Sequence, residues 1–135
     1  MKKVKIDTSC TKMGFSASCE LLSGWVVAFS GTFSDFKQYV QDSIDFYLEC
    51  AKADGENYDT IFDEDYELEF VMDIQSILYC YGSILSRAGL SRLTGINQRQ
   101  LGHYICGVSK PRKAQSEKIV NALHSLGQEL QSISI

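Results

Sequence analysis

LSRAGLSRLTGINQRQLGHYICG, residues 85–107, is the stretch on which the fold turns. Ser86 is a good N-cap for a short helix over residues 87–94, whose apolar side is Leu90 and Leu93. Gly95 supplies the positive φ that a sharp change of direction requires. Asn97 then caps a second helix that runs to about Cys106, with Leu101, Tyr104 and Ile105 facing inward, and Gly107 ends it. Two helices joined by a turn of three or four residues at a glycine form the helix-turn-helix pattern.

The pattern extends on both sides. Ile74, Ile77, Leu78, Tyr81 and Ile84 recur at helical spacing over residues 73–84, although Gly82 weakens the last turn. After Lys110-Pro111-Arg112-Lys113, a helix over residues 114–126 carries Ile119, Val120, Leu123 and Leu126, and Gly127 is read as its stop. Residues 73–135 are thus expected to form an all-α helix-turn-helix domain.

Residues 1–72 have a different period. Val4 and Ile6 alternate with Lys3, Lys5 and Asp7. Met13, Phe15, Ala17, Cys19 and Leu21 alternate with Gly14, Ser16, Ser18 and Glu20, and predict a second half-buried strand. A short apolar run from Trp25 to Phe29 follows the turn signal Ser23-Gly24, and the three strands suggest an antiparallel meander. Thr32 caps a helix whose face is Phe36, Val40, Ile44, Tyr47 and Ala51, and which ends near Asp54-Gly55. Residues 54–65 are acidic and aperiodic and read as a loop. Tyr66, Leu68, Phe70 and Met72 alternate again, as a fourth strand. The expected fold is α+β: an N-terminal β-β-β-α-β domain (1–72) with one helix on one face of its sheet, followed by the all-α domain (73–135).

Charge divides along the same boundary. Residues 1–72 hold six Lys, no Arg and fourteen Asp or Glu, a balance of −8, whereas residues 73–135 hold seven Lys or Arg and three acids, a balance of +4. Such polarity suggests two modules with different partners, the basic one able to approach phosphate. The five cysteines are scattered, form no CxxC pair and are joined by only two histidines, so no metal or cofactor site is expected and free thiols point to a reducing compartment. No apolar run approaches the ~20 residues of a membrane span. The N-terminus lacks the apolar stretch of a signal peptide, so a cytoplasmic location is expected.

From Ser86 to Gly127 the chain resembles the phage-repressor (Cro/cI, XRE-like) helix-turn-helix family. The residues that carry this likeness are Leu90-Ser91, Leu93-Thr94-Gly95-Ile96, the spacing from Gly107 to Pro111, and Ile119 to Leu123. Ser91 replaces the family's usual alanine, and Gly89 is unusual inside the first motif helix. Upstream, Phe15-Ser16-Ala17, Leu22-Ser23-Gly24, Gly31-Thr32-Phe33-Ser34-Asp35 and the helix reaching Leu48-Glu49 resemble the HicB antitoxin family. That family has a degenerate ribonuclease H-like β-β-β-α-β domain ahead of a DNA-binding tail. Its proline-rich turn after strand two is replaced here by Cys19-Glu20-Leu21-Leu22. The resemblance implies a non-enzymatic type II antitoxin. Its N-terminal domain would neutralise a small basic mRNA-cleaving toxin, and its C-terminal domain would repress the operon.

In a helix-turn-helix docked on double-stranded operator DNA, the second helix enters the major groove with its N-terminal residues at the base edges. Here those are Gln98, Arg99 and Gln100, with His103 a turn further along. Arg87 and Asn97, at helix starts, and Lys110, Arg112 and Lys113 are placed to meet phosphates. A homodimer or higher homo-oligomer is expected, because twofold symmetry matches palindromic sites. Toxin-contacting residues are not legible in the sequence. Two other readings stay open: a ligand-responsive or simple dimeric repressor, and a metal-dependent nuclease with a DNA-binding tail that uses carboxylates such as Asp7, Glu20, Asp42 and Asp45.

Overall fold

The computed structural model describes residues 1–135. The fold is α+β, roughly half helical, with one four-stranded sheet and five helices. The chain divides into two compact units, Met1–Asp73 and Ile74–Ile135.

In the first unit, β1 (Lys2–Thr11) and β2 (Gly14–Ser18) form a tight hairpin, and β3 (Val26–Phe29) pairs antiparallel with β2. Helix α1 (Phe33–Ala53) then crosses back, so that β4 (Tyr66–Met72) lies parallel to β1. The strand order is β3-β2-β1-β4. Period-two alternation puts Val4, Ile6, Phe15 and Ala17 on one face, all buried. Helix α1 covers that face with Phe36, Val40, Ile44, Leu48 and Ala51. Phe36 stacks on Phe15 with centroids 4.9 Å apart, and Phe33 meets Phe70 edge-on at 5.8 Å. Aromatic pairs of this kind each add about 0.5–1.5 kcal/mol beyond area burial. Gly14, with φ +106°, is required at the hairpin: a Cβ there would lie 2.4 Å from the Phe29 carbonyl oxygen. Thr32 caps α1 by accepting from the Asp35 N–H at 3.1 Å.

The second strand is shorter than the alternation suggests. Met13 sits in the hairpin turn and is 80% exposed. After Ser18 the chain turns, closed by the Leu22 N–H donating to the Cys19 carbonyl at 3.1 Å. The turn swings Leu21 outward and buries Leu22 instead. Within the expected loop, Thr60–Asp63 is a 3-10 turn capped by the Asp59 carboxylate, and it buries Phe62. A single turn is too short to leave a periodic signal. On α1, Leu48 rather than Tyr47 is fully inside; Tyr47 instead donates its hydroxyl to the Ser23 carbonyl at 2.8 Å.

The second unit comprises α2 (Ile74–Tyr81), α3 (Arg87–Thr94), α4 (Gln98–Cys106) and α5 (Lys113–Gln131). Ile74, Leu78, Leu90, Ile96, Leu101, Tyr104 and Ile119 form its core, with Ile77, Leu85, Ile105, Val120 and Leu123 packed around them. Ser86 caps α3 through the Gly89 N–H at 3.0 Å, and Asn97 caps α4 through the Gln100 N–H at 2.8 Å. Gly95 and Gly107 take the left-handed conformation, at φ 74° and 76°.

Three expectations need correction here. Helix α2 ends at Tyr81, not at residue 84. The N–H groups of Ile84 and Leu85 both fold back onto the Tyr81 carbonyl, which leaves Ile84 75% exposed. Leu93 is 38% exposed, and Thr94 takes the inner position. The Thr94 hydroxyl donates to the Leu90 carbonyl at 2.7 Å and accepts from the Ile96 N–H at 3.2 Å. Gly127 does not stop α5, which starts at Lys113 and continues to Gln131. Glycine ends a helix only when its backbone goes left-handed, and Gly127 has no positive φ.

Candidate nucleic-acid interface

The turn between α3 and α4, Gly95-Ile96-Asn97, is three residues long. It is held from both sides: Ile96 is buried in the core, and Asn97 turns its side-chain oxygen to the α4 N-terminus. This commits the Asn97 carbonyl oxygen to the cap and leaves its amide NH2 as the outward donor. Just past the cap, Gln98 and Arg99 are exposed. Gln100 is half-buried, and its side-chain amide donates to the Ser109 hydroxyl at 3.2 Å, so its orientation is set by the loop after α4. His103 is also half-buried, one turn on, and its carbonyl accepts from the Val108 N–H at 3.0 Å.

Next to this helix start is a concavity of about 480 Å³. The turn (Gly95, Ile96, Asn97), α4 (Gln100, Tyr104), the following loop (Ser109, Lys110, Arg112) and α5 (Gln115, Lys118) supply its walls. Three cations and no acid line it. Of the residues expected to meet DNA, it gathers Asn97, Gln100, Lys110 and Arg112. Gln98, Arg99, His103, Lys113 and Arg87 are not among its walls. Arg87 lies instead across the α3–α4 contact. A Cβ added to the buried Gly102 would come within 2.9 Å of an Arg87 Nη atom, so the absent side chain at Gly102 makes room for the guanidinium.

Lys118 was missed in reading the sequence. Its Nζ would be 3.5 Å from a Cβ on Gly95, so it reaches from α5 to the motif turn. A signal was present: Gln115 and Lys118 are three apart on a helix, hence on one side.

The first unit holds ion pairs at Lys2–Glu64 (2.8 Å), Lys5–Asp7 (3.4 Å), Lys3–Glu69 (3.9 Å) and Lys52–Asp63 (3.9 Å). Residues 74–135 hold seven Lys and Arg against two acids, Glu117 and Glu129, a balance that favours an anionic ligand.

The carboxylates of the first unit are dispersed. Asp7 is on the sheet face away from α1, where it lines a concavity of about 410 Å³ of mixed lining, with Ser16, Asp73, Val26, Val71 and Met72 among its other walls. Asp42 and Asp45 are on the exposed side of α1, accepting from Gln38 and Gln41 at 2.9 and 3.0 Å. Glu20 is in the turn after β2. No group of three or more His, Cys, Asp or Glu side chains is placed to hold a metal ion. All five cysteines are free thiols; burial pushes the Cys19 thiol up from its ordinary pKa. No helix is long and apolar enough to cross a membrane.

Comparison of the chain with family models, with curated proteins and with solved structures returned no match.

Proposed function

We propose that the chain is a DNA-binding transcriptional regulator of the HicB-type antitoxin kind. In this reading residues 74–135 bind operator DNA, with α4 in the major groove. Gln98, Arg99, Gln100 and His103 face the bases, and Lys110, Arg112, Lys113 and Lys118 follow the phosphates. The observation that carries the reading is the acid-free concavity beside the start of α4, with Lys110, Arg112 and Lys118 on its walls. Phosphate contacts of this type fix register and supply affinity, while exposed Arg and Gln on the helix start read guanine and adenine edges.

The acidic first unit is the partner-binding half of the same reading. Asp35, Asp42, Asp45 and Glu49 are all exposed along α1, so it presents a negative surface to a small basic mRNA-cleaving toxin. Complementary charge speeds encounter and selects partners. The dispersal of Asp7, Asp42 and Asp45 favours this non-catalytic role over metal-dependent cleavage.

Fluorescence anisotropy on a labelled duplex from the chain's own upstream region tests the DNA half. The affinity expected is well above that for scrambled duplex and falls steeply with salt. Equal affinity for both duplexes would remove the regulator reading.

A further inference from the structure

Tyr104 belongs to the core of the second unit and is only 5% exposed. Packing at that place asks for an aromatic ring and nothing more. Its hydroxyl has no hydrogen-bond partner within the protein. A buried polar group without a partner costs free energy, so its presence points to a use. The oxygen is not sealed in, because every fully enclosed side-chain oxygen and nitrogen has a partner. It opens where Tyr104 reaches the surface, on the floor of the concavity beside α4.

The groups around that floor agree in kind. Ser109 accepts from the Gln100 side chain at 3.2 Å, which leaves its own O–H proton to donate. Asn97 has its side-chain oxygen on the α4 cap and its amide NH2 turned outward to donate. Lys110, Arg112 and Lys118 add three positive charges, and no carboxylate lines the walls. A neutral ligand leaves that charge unanswered, and a carboxylate has too few oxygens for so many donors. A phosphate group brings three strong acceptor oxygens and a charge of about −1.5 to −2 near neutral pH.

We infer that this concavity is a phosphate-binding site, with the Tyr104 hydroxyl on its floor donating to a phosphate oxygen and Lys118 closing it from α5. The phosphate belongs either to a duplex backbone or to a free phosphomonoester. The first source rests on the proposed DNA reading, and the second does not.

Inorganic phosphate titrated into the full chain tests it, followed by amide NMR spectra against sodium chloride of equal ionic strength. Saturable shifts are expected at Gly95, Asn97 and Ser109. Tyr104→Phe removes only the hydroxyl and is expected to weaken phosphate about tenfold. Lys118→Gln, at the rim, is expected to weaken it as well without touching the core, and circular dichroism melts check that both variants fold. A second arm uses a short duplex of scrambled sequence. If its backbone uses the site, phosphate displaces it more than chloride does and Tyr104→Phe weakens it. If the site serves a free phosphomonoester, duplex binding ignores both. Either result supports the inference and identifies the source. A duplex that fails to bind at all while phosphate still saturates would sink the regulator reading and leave the site standing. Absence of saturable shifts, or shifts indifferent to both substitutions, overturns the inference, and an operator preference that depends on Arg99 would then still support the DNA reading.

Discussion

Glycines in the second unit differ in what they do, and the difference can be measured. Gly95 is left-handed at φ 74°, a conformation that costs an L-residue about 1–2 kcal/mol. Gly95→Ala is therefore expected to lower stability by about that amount in urea titration. Gly127 has no positive φ and nothing within 4 Å of a Cβ, inside a helix. Gly127→Ala should raise stability by about 0.5–1 kcal/mol in the same titration. Two glycines that look alike in sequence thus have opposite expected signs. A cost at Gly127 would mean that its backbone is not the helical one described. Cysteines separate in the same way. Cys19 is buried and its thiol is pushed up by that burial, whereas Cys50 and Cys106 are exposed. Brief alkylation of the native protein followed by mass mapping should label Cys50 and Cys106 and spare Cys19. Rapid labelling of Cys19 would contradict the packing around Leu22 and Trp25.

At the level of elements, what was legible in the sequence follows from period length. Helices α1 and α4 and strand β4 each run for two or more turns or several alternations, and their apolar faces can be read directly. Caps were equally legible, because Thr32, Ser86 and Asn97 each use one side-chain oxygen on a local N–H, with no tertiary partner needed. The failures share a cause, competition decided outside the local pattern. Alternation continued through Cys19 to Leu21, but a turn closed by Leu22 took the chain out of the sheet. Thr94 displaced Leu93 from the interior because its hydroxyl could bond twice within the turn. The concavity was only partly visible. Lys110 and Arg112 stood next to the proline, but Lys118 joins them only because α5 folds back to Gly95.

On the scale of the whole molecule, the organising fact is charge: −8 over residues 1–72 and +4 over residues 73–135. Surface charges are screened beyond ~8 Å at physiological ionic strength, so both proposed partnerships should weaken as salt rises. For the acidic unit, calorimetry of the full chain with the proposed basic toxin should give association that weakens with added salt. Reversing Asp42 and Asp45 to Lys should reduce it further, and unchanged binding would place the contact elsewhere than the outer side of α1. The central claim, that α4 reads bases while the neighbouring cations hold phosphates, is tested most directly by one comparison. Arg99→Ala and Lys118→Ala are each titrated against operator and scrambled duplex at two salt concentrations. The account predicts that Arg99→Ala costs roughly 1–3 kcal/mol on operator and relaxes preference at one base position. Lys118→Ala is predicted to weaken both duplexes alike and to reduce the salt slope by about one. Equal losses on both duplexes for Arg99→Ala would make that residue a phosphate contact and contradict the placement of α4 in the groove.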